Sequence, residues 1–345
     1  MIGFTHSISD SLQDYLIQTQ PDKVFLLGDS ETLRLCSPLL SAVPFHSIIE
    51  VEAGEYAKTL QNCENIWNKL AQCGATRHSL LVCMGGGSIT DLGGFIAATY
   101  QRGISVVYIP TTLLCMVDAC IGGKNGINLG ELKNYIGTFR HPSAIFIDSR
   151  FLNTLPETEW LNGKAEIIKH ALLSGTGWDE IRQKGFPDKT DIPAWTEIIE
   201  TNTRFKQEII TADFTENNIR ARLNFGHTAA HALESLYLKK GTALSHGQAV
   251  AAGMVIESIA AELLQICKSE TAKAIADCIL PLFGRVDFLE ADISELNKMA
   301  SKDKKSFSGK LVCSFISDAG QPCDPVSVPE NVMTKAWLRY INETA

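Results

Sequence analysis

Residues 78–100, HSLLVCMGGGSITDLGGFIAATY, read as a buried strand, a glycine turn and a helix in immediate succession. The apolar run LLVCM is strand length, Gly85-Gly86-Gly87 ends it, and the segment that follows has helical spacing. The same unit recurs on both sides. KVFLLGD (23–29) is a buried strand with a helix beginning near Ser30, and FHSIIEVEAGE (45–55) is a strand followed by an amphipathic helix through Leu70. ISVVYIPTT (104–112) is a further buried strand closed by Pro110-Thr111-Thr112, and residues 12–20 form a short helix ended by Pro21. Strands alternating with helices predict a parallel sheet covered on both faces, with ligands gathered at the carboxyl ends of its strands.

Beyond about residue 150 the pattern changes. From Glu159 to Leu282 the periodicity is almost entirely helical, with breaks near SGTGWDE and GFPDKTDIP. A strand pair is expected around KLVCSFISDAG, and a last amphipathic helix from Pro329 to about Ile341. The expected fold is therefore α/β: a Rossmann-like parallel-sheet domain over 1–150, then a mostly α-helical domain over 151–345.

Composition narrows the function. With 45% hydrophobic and 20% charged residues, the 345-residue chain has the make-up of a globular protein with a large core. A net charge of −8 lacks the electrostatic footprint of a nucleic-acid or anionic-membrane binder, so an anionic substrate must be met by a local cluster of cations. The ten cysteines are scattered without a CxxC pair and sit mostly in apolar runs, the usage of buried free thiols in a reducing compartment. The first residues lack the basic start and apolar core of a signal peptide, and no apolar run approaches a membrane span. These features predict a cytoplasmic protein.

Three of the eight histidines lie in RARLNFGHTAAHALESLYLKKGTALSHGQAVAAGM (220–253). His227 and His231 share a helix face, and a hairpin through the glycine loop returns His246 beside them. Such a set suits a divalent transition metal, which in catalytic sites adds a carboxylate and keeps one position open. Histidines bonded within a helical core are the competing reading. Thr228 stands where a zincin would have Glu, which disfavours a protease.

The GGG turn is a candidate phosphate cradle, since backbone without Cβ atoms can approach a pyrophosphate at a helix N-terminus. It is not GxGxxG, because Thr90 holds the sixth position. The Thr111-Thr112 hydroxyls face the same crevice, and Asp91 either caps the turn or meets a sugar hydroxyl. In VDACIGGKNGINLGELKNYIGTF (117–139), Lys124, Lys133 and Asn134 place cations and amide donors on loops, a candidate anion site. On LNGKAEIIKHALL (161–173), Glu166, Lys169 and His170 share one face.

Taken in order, GGGSITDLGGFIAATYQRG, PTTLLCMVDACIGGKNGIN, KNYIGTF, GKAEIIKHAL, LNFGHTAAHALE and SHGQAVAAGM resemble the 3-dehydroquinate synthase family, from about Gly54 to Lys305. The resemblance implies an NAD-binding α/β domain, a helical metal-binding domain, an active site in the cleft between them and a homodimer. Residue by residue, it implies that Glu166, His227 and His246 bind zinc or cobalt. It implies that Asp29, Glu55, Lys58, Gly86, Gly87, Asp91, Thr111 and Thr112 contact NAD. It assigns Asp118, Lys124, Lys133, Asn134, Lys169, Lys206, Arg220, Asn224 and His231 to the pocket of a sugar-acid phosphate. Arg102 is similar to an arginine reaching the phosphate from the neighbouring subunit, and one of Lys304 and Lys305 to a further substrate contact. Four positions depart from the family pattern: Thr90 for Gly, Asn125 for Thr, Ala230 for Gly and Gln248 for Glu. The last removes a charge expected beside His246.

The chemistry so implied is transient oxidation of 3-deoxy-D-arabino-heptulosonate 7-phosphate at C5, phosphate elimination, re-reduction and aldol closure to 3-dehydroquinate. A cyclase for a non-acid heptulose phosphate, and an NAD- and metal-dependent alcohol or glycerol dehydrogenase, are the alternatives. Lys206 and Arg220 bear on the first: they are expected at the substrate carboxylate, the competing expectation being exposed helix residues paired with Glu208 or Glu216.

Overall fold

The computed structural model describes residues 1–130, 132–301 and 311–343. The chain divides into two compact units, one of Met1–Trp160 with Pro187–Gln207 and the other of Leu161–Phe186 with Glu208–Ala345.

The first unit holds a six-stranded parallel sheet. Its strands are β1 (Ile2–Phe4), β2 (Val24–Asp29), β3 (Ser47–Val51), β4 (Leu80–Gly85), β5 (Ser105–Pro110) and β8 (Ala144–Ile147), in the order β1-β8-β5-β4-β2-β3. Every residue of β2 and β4 is buried, as the unbroken apolar runs require of central strands covered on both faces. Helices α1 (Ile8–Thr19), α2 (Ser30–Cys36), α3 (Leu60–Gln72) and α4 (Gly87–Thr99) connect the strands. From β2 the chain goes outward to β3, then crosses back so that β4 and β5 build the other way. The reversal makes a topological switch point at the carboxyl ends of β2 and β4.

Three expectations need correction in this unit. α1 starts at Ile8, because Ile8 and Leu12, one turn apart, are both fully buried and extend the helix toward the N-terminus. β1 and β8 were not anticipated; β1 is only three residues long, too short for a two-residue alternation to register. The 117–139 segment is not simply loop. β6 (Lys124–Leu129) and β7 (Leu132–Phe139) form an antiparallel ribbon with Lys124 opposite Phe139, so Lys124, Lys133 and Asn134 stand on strands.

Among the described residues the second unit is mainly helical. Its helices are α6 (Trp178–Lys184), α8 (His227–Lys239), α9 (His246–Leu263), α10 (Ser269–Phe283), α11 (Ile293–Ser301) and α12 (Glu330–Glu343). Two longer helices, α5 (Glu157–Ser174) and α7 (Ile192–Ala212), contribute residues to both units. α9 is buried from Ala249 through Ala261 and packs against α8, α10 and α12. The strand pair expected within KLVCSFISDAG is corrected. β9 (Val312–Cys313) pairs with β12 (Val326–Ser327), and β10 (Ile316–Asp318) with β11 (Gln321–Pro322), giving two small ribbons. All ten cysteines are free thiols, and among the described residues no helix is long and apolar enough to cross a membrane.

Candidate active site

Helices α8 and α9 cross where two glycines meet. Gly226, with φ 81°, takes the left-handed turn before α8, and a Cβ on Gly253 would fall on the Gly226 carbonyl oxygen. The crossing sets His227, the first residue of α8, near His246, the first residue of α9, with ring centroids 5.8 Å apart.

Glu166 of α5 completes the group. Its Oε1 lies 3.2 Å from His246 Nε2 and 3.4 Å from His227 Nε2, and one ligand atom from each residue falls within 4.8 Å of the others. Ligands about 2.0–2.1 Å from a tetrahedral zinc stand about 3.3 Å from one another, so the two nitrogen-to-oxygen distances fit a divalent ion. The orientation of each ring fits as well. His227 Nδ1 lies 3.2 Å from the Phe225 carbonyl, which directs Nε2 inward, and His246 Nδ1 lies 3.7 Å from Glu234 Oε1.

The electrostatics follow from burial. Burial opposes ionisation of Glu166, but the ammonium of Lys169, with which it is paired, and the two imidazoles hold its carboxyl well below the usual range. Burial and Lys169 push His227 down to about 4, so it stays a neutral donor. In His246 burial also opposes the charge, but Glu166 and Glu234 outweigh it and take the imidazole up to about 10. A metal ion entering this set displaces that proton. His231 stands edge-on to His227, centroids 5.7 Å apart, outside the three-ligand group.

The other expected pocket residues of the second unit are ordered by buried polar contacts. Arg220 is 3% exposed, and its Nη1 donates to the Phe214 carbonyl. The Asp213 carboxylate accepts the N–H groups of Asn217, Asn218 and Arg220 at 3.0, 2.7 and 3.0 Å, shaping the turn that carries Arg220. Asn224 donates to Glu216 at 2.9 Å. Arg220 lies in a 3-10 turn over Ile219–Asn224, so the exposed-helix expectation is corrected.

In the first unit, Asp29, Gly86, Gly87, Thr111 and Thr112 collect at the carboxyl ends of β2, β4 and β5, beside the switch point. Asp29 caps α2 by accepting from Thr32 N at 2.8 Å, and Thr112 Oγ1 accepts from Cys115 N at 3.2 Å. A Cβ on Gly86 would lie 3.1 Å from Thr112 Cγ2, so the backbone here is bare on the side facing that threonine. Asp91 neither caps the turn nor stands alone: its Oδ2 lies 2.8 Å from the buried Lys58 Nζ, and Glu55 Oε2 lies 3.4 Å from the same atom. Burial works against the Lys58 charge, yet Asp91 and Glu55 hold the ammonium above its ordinary value.

Lys206, 6% exposed on α7, donates to the Asp118 carbonyl at 2.5 Å and meets Asp118 Oδ1 at 2.8 Å. Its partner is therefore Asp118, not Glu208 or Glu216. Lys124, Lys133 and Asn134 are exposed on the β6–β7 ribbon, and Arg102 is exposed on the turn after α4. Lys304 and Lys305 lie outside the described residues.

Glu234, which flanks the histidines in sequence, supplies the carboxylate beside His246. Two contributors were not singled out from the sequence as site residues. Asn162, one turn before Glu166, accepts Gly247 N–H at 2.7 Å. Asn128 joins the Glu55–Lys58 segment to Asn134. Gln248 is accommodated at the start of α9, where Ser245 Oγ caps the helix by accepting from Gln248 N at 3.3 Å and donates to Gln248 Oε1 at 2.9 Å. The other departures are accommodated too. Asn125 accepts from Tyr108 Oη at 2.6 Å and donates to the Gly123 and Arg140 carbonyls, Thr90 Oγ1 donates to Gly87 O at 3.2 Å, and Ala230 is fully buried.

Comparison with known proteins identifies the family and the fold. Residues 48–162 match the family model for the 3-dehydroquinate synthase N-terminal region, and residues 163–306 that for the C-terminal region. A 3-dehydroquinate synthase of Parabacteroides distasonis is 37% identical over 316 residues, 91% of this chain and 90% of that protein. Among solved structures, 2-epi-5-epi-valiolone synthase from Streptomyces hygroscopicus subsp. jinggangensis, with NAD+ and Zn2+ bound, superposes with a TM-score of 0.88. It is 24% identical, over 99% of this chain and 97% of that one. A 2-deoxy-scyllo-inosose synthase complexed with carbaglucose-6-phosphate, NAD+ and Co2+ gives 0.83 at 22% identity, over 97% and 95%. At these identities the two structures speak for the fold.

Proposed function

This chain belongs to the 3-dehydroquinate synthase family, and on that premise we propose how its residues divide the work. The reaction converts 3-deoxy-D-arabino-heptulosonate 7-phosphate to 3-dehydroquinate and phosphate, a carbon–oxygen lyase step of the shikimate pathway that uses NAD and one divalent metal. The substrate is oxidised transiently at C5, loses phosphate, is re-reduced, and closes on itself as an aldol.

The observation that carries the assignment is the convergence of Glu166 Oε1, His227 Nε2 and His246 Nε2 within ligand distance. A zinc or cobalt ion held there supplies Lewis acidity toward the substrate's hydroxyls. NAD supplies a hydride acceptor that is restored each cycle. Gly86 and Gly87 admit its pyrophosphate at the start of α4, while Asp29, Glu55, Lys58, Asp91, Thr111 and Thr112 line its sugar and base. The NAD-binding role falls to 1–150, which also lends Lys124, Lys133 and Asn134 to the substrate, and the metal-binding role with the rest of the substrate contacts to 151–345.

Lys124, Lys133, Asn134 and Lys169 bind toward the phosphate. Lys206, held by Asp118, and Arg220 bind the carboxylate, and Asn224 orients the sugar hydroxyls. As phosphate departs it takes the proton itself, or His231 relays the proton through water. The protein acts as a homodimer in the cytoplasm, and Arg102 reaches the partner's phosphate site. Supporting this last role, Gln101, Arg102 and Gly103 have successive φ values of 48°, 68° and 120°, a costly backbone for two non-glycine residues on an exposed turn.

Phosphate release and NADH absorbance, followed together on the heptulosonate, test the reading. Phosphate should appear without net NADH. Accumulation of NADH in step with substrate loss overturns it in favour of a dehydrogenase. Faster turnover of sedoheptulose 7-phosphate overturns the carboxylate role of Lys206 and Arg220.

A further inference from the structure

Both ligand histidines are first residues of helices, so the position of each imidazole depends on where a helix begins. A helix start is also where backbone N–H groups lack partners inside the helix. In this protein each start is held by a buried side chain from another helix of the same site. Glu257 of α9 is fully buried, and its Oε2 accepts Gly226 N–H at 2.7 Å while Oε1 accepts Ala229 N–H at 3.0 Å. Those two N–H groups bracket His227. Gly253, one turn earlier on α9, is the residue whose missing Cβ lets the Gly226 carbonyl in. Asn162 of α5 does the same for His246: its Oδ1 takes Gly247 N–H at 2.7 Å, and a Cβ on Gly247 would stand 2.7 Å from Asn162 Cα. Asn162 lies one turn before Glu166. α5 thus fixes the start of α9, and α9 fixes the start of α8.

We propose that Glu257 and Asn162 are positioning residues that set the separation of His227, His246 and Glu166 before any metal arrives. The proposal rests on the reading of those three residues as metal ligands. A carboxylate on backbone N–H groups at a helix N-terminus makes charge-assisted bonds and is favoured by the helix dipole. Replacing it by an amide of the same size turns one acceptor into a donor facing an N–H. The turn must then shift, and His227 shifts with it. Loss of a side chain that orients a metal ligand costs about 10–100-fold in metal affinity.

The test uses the full-length protein as Glu257→Gln and Asn162→Ala variants, titrated with Zn2+ against a chromophoric chelator and with Co2+ by visible absorption. Thermal melting of the metal-free proteins and NAD affinity are measured alongside. The expected result is zinc affinity about 10–100-fold weaker in Glu257→Gln. A cobalt band of altered position or intensity, and unchanged NAD affinity, should accompany it, with a shift in the same direction for Asn162→Ala. Folded variants with the parental zinc affinity and cobalt spectrum, differing only in melting temperature, would show ordinary helix capping and overturn the proposal. If Glu257→Gln does not fold, Asn162→Ala decides by the same readouts. His227→Ala separates the two layers: parental zinc binding in that variant sinks the ligand assignment itself. Loss of zinc there, with none lost in the other two, sinks only the positioning role.

Discussion

The side-chain oxygen of Asn128 accepts the backbone N–H of Asn134 at 2.8 Å, while the Asn128 N–H donates to the Lys58 carbonyl at 2.8 Å. Asn134 takes a left-handed backbone with φ 50°, a conformation asparagine adopts more readily than most residues. One residue therefore joins the segment assigned to NAD with the ribbon assigned to phosphate.

Asn128→Ala should raise the substrate KM by up to about 10-fold, the cost of one hydrogen bond of about 0.5–1.5 kcal/mol, with metal content unchanged. Steady-state kinetics at saturating NAD check this. An unaltered KM would mean the tether has no bearing on the substrate.

Glu166→Gln and His246→Ala should both lose metal, measured by elemental analysis, but at different costs to stability. Glu166 and Lys169 are each no more than 2% exposed and are paired. Removing the carboxylate takes the paired charge away from a buried ammonium, at about 3–5 kcal/mol. His246→Ala keeps that pair but gives up the contacts of the imidazolium with Glu166 and Glu234, and should melt below the metal-free parent by less than Glu166→Gln does. Equal melting temperatures for the two variants would contradict the buried-pair account.

Gly86→Ala places a Cβ 3.1 Å from Thr112 Cγ2, on the face assigned to the pyrophosphate. NAD affinity, read by calorimetry, should fall by about 10-fold or more, since a close backbone approach is blocked. Zinc affinity should not change. Parental NAD binding would remove the glycine turn from the cofactor site.

Asp213 gives a pH signature. Burial would raise its pKa, but the N–H groups of Asn217, Arg220 and Asn218, together with the Arg220 charge, hold it below the ordinary 3.8. Its stabilising contribution is thus fully present above pH 3.8 and disappears as pH falls through the lower folded-state value. Asp213→Asn should melt a few degrees below the parent at neutral pH, with the gap closing below pH 3.8. A gap that is constant with pH would show that the charge is not what holds the Arg220 turn.

Much of this was readable from the chain. Buried strands such as LLVCM and KVFLLGD carry their own signal, because an unbroken apolar run between turn residues has few other uses. The helical half declared itself by period and the histidine cluster by residue type, while the choice of Glu166 with His227 and His246 came from the family resemblance. The short strands β1 and β9 to β12 did not: two or three residues are too few for a pattern, and their pairing partners come from distant segments. The β6–β7 ribbon was hidden by its glycines and exposed cations, which also suit a loop.

What the sequence determined by itself is the alternation of elements, the glycine turns at the strand ends, and the stock of imidazole, carboxylate and ammonium groups. Those are local properties, set by side-chain period and by the chemistry of single residues. Only the tertiary structure decided which groups meet. Lys206 bonds Asp118 across 88 residues, Glu257 bonds Gly226 across 31, and Asn162 bonds Gly247 across 85. Such pairings depend on how helices cross and how closely glycines let backbones approach. A buried polar group takes whichever partner that packing presents, because leaving it unpaired would cost more.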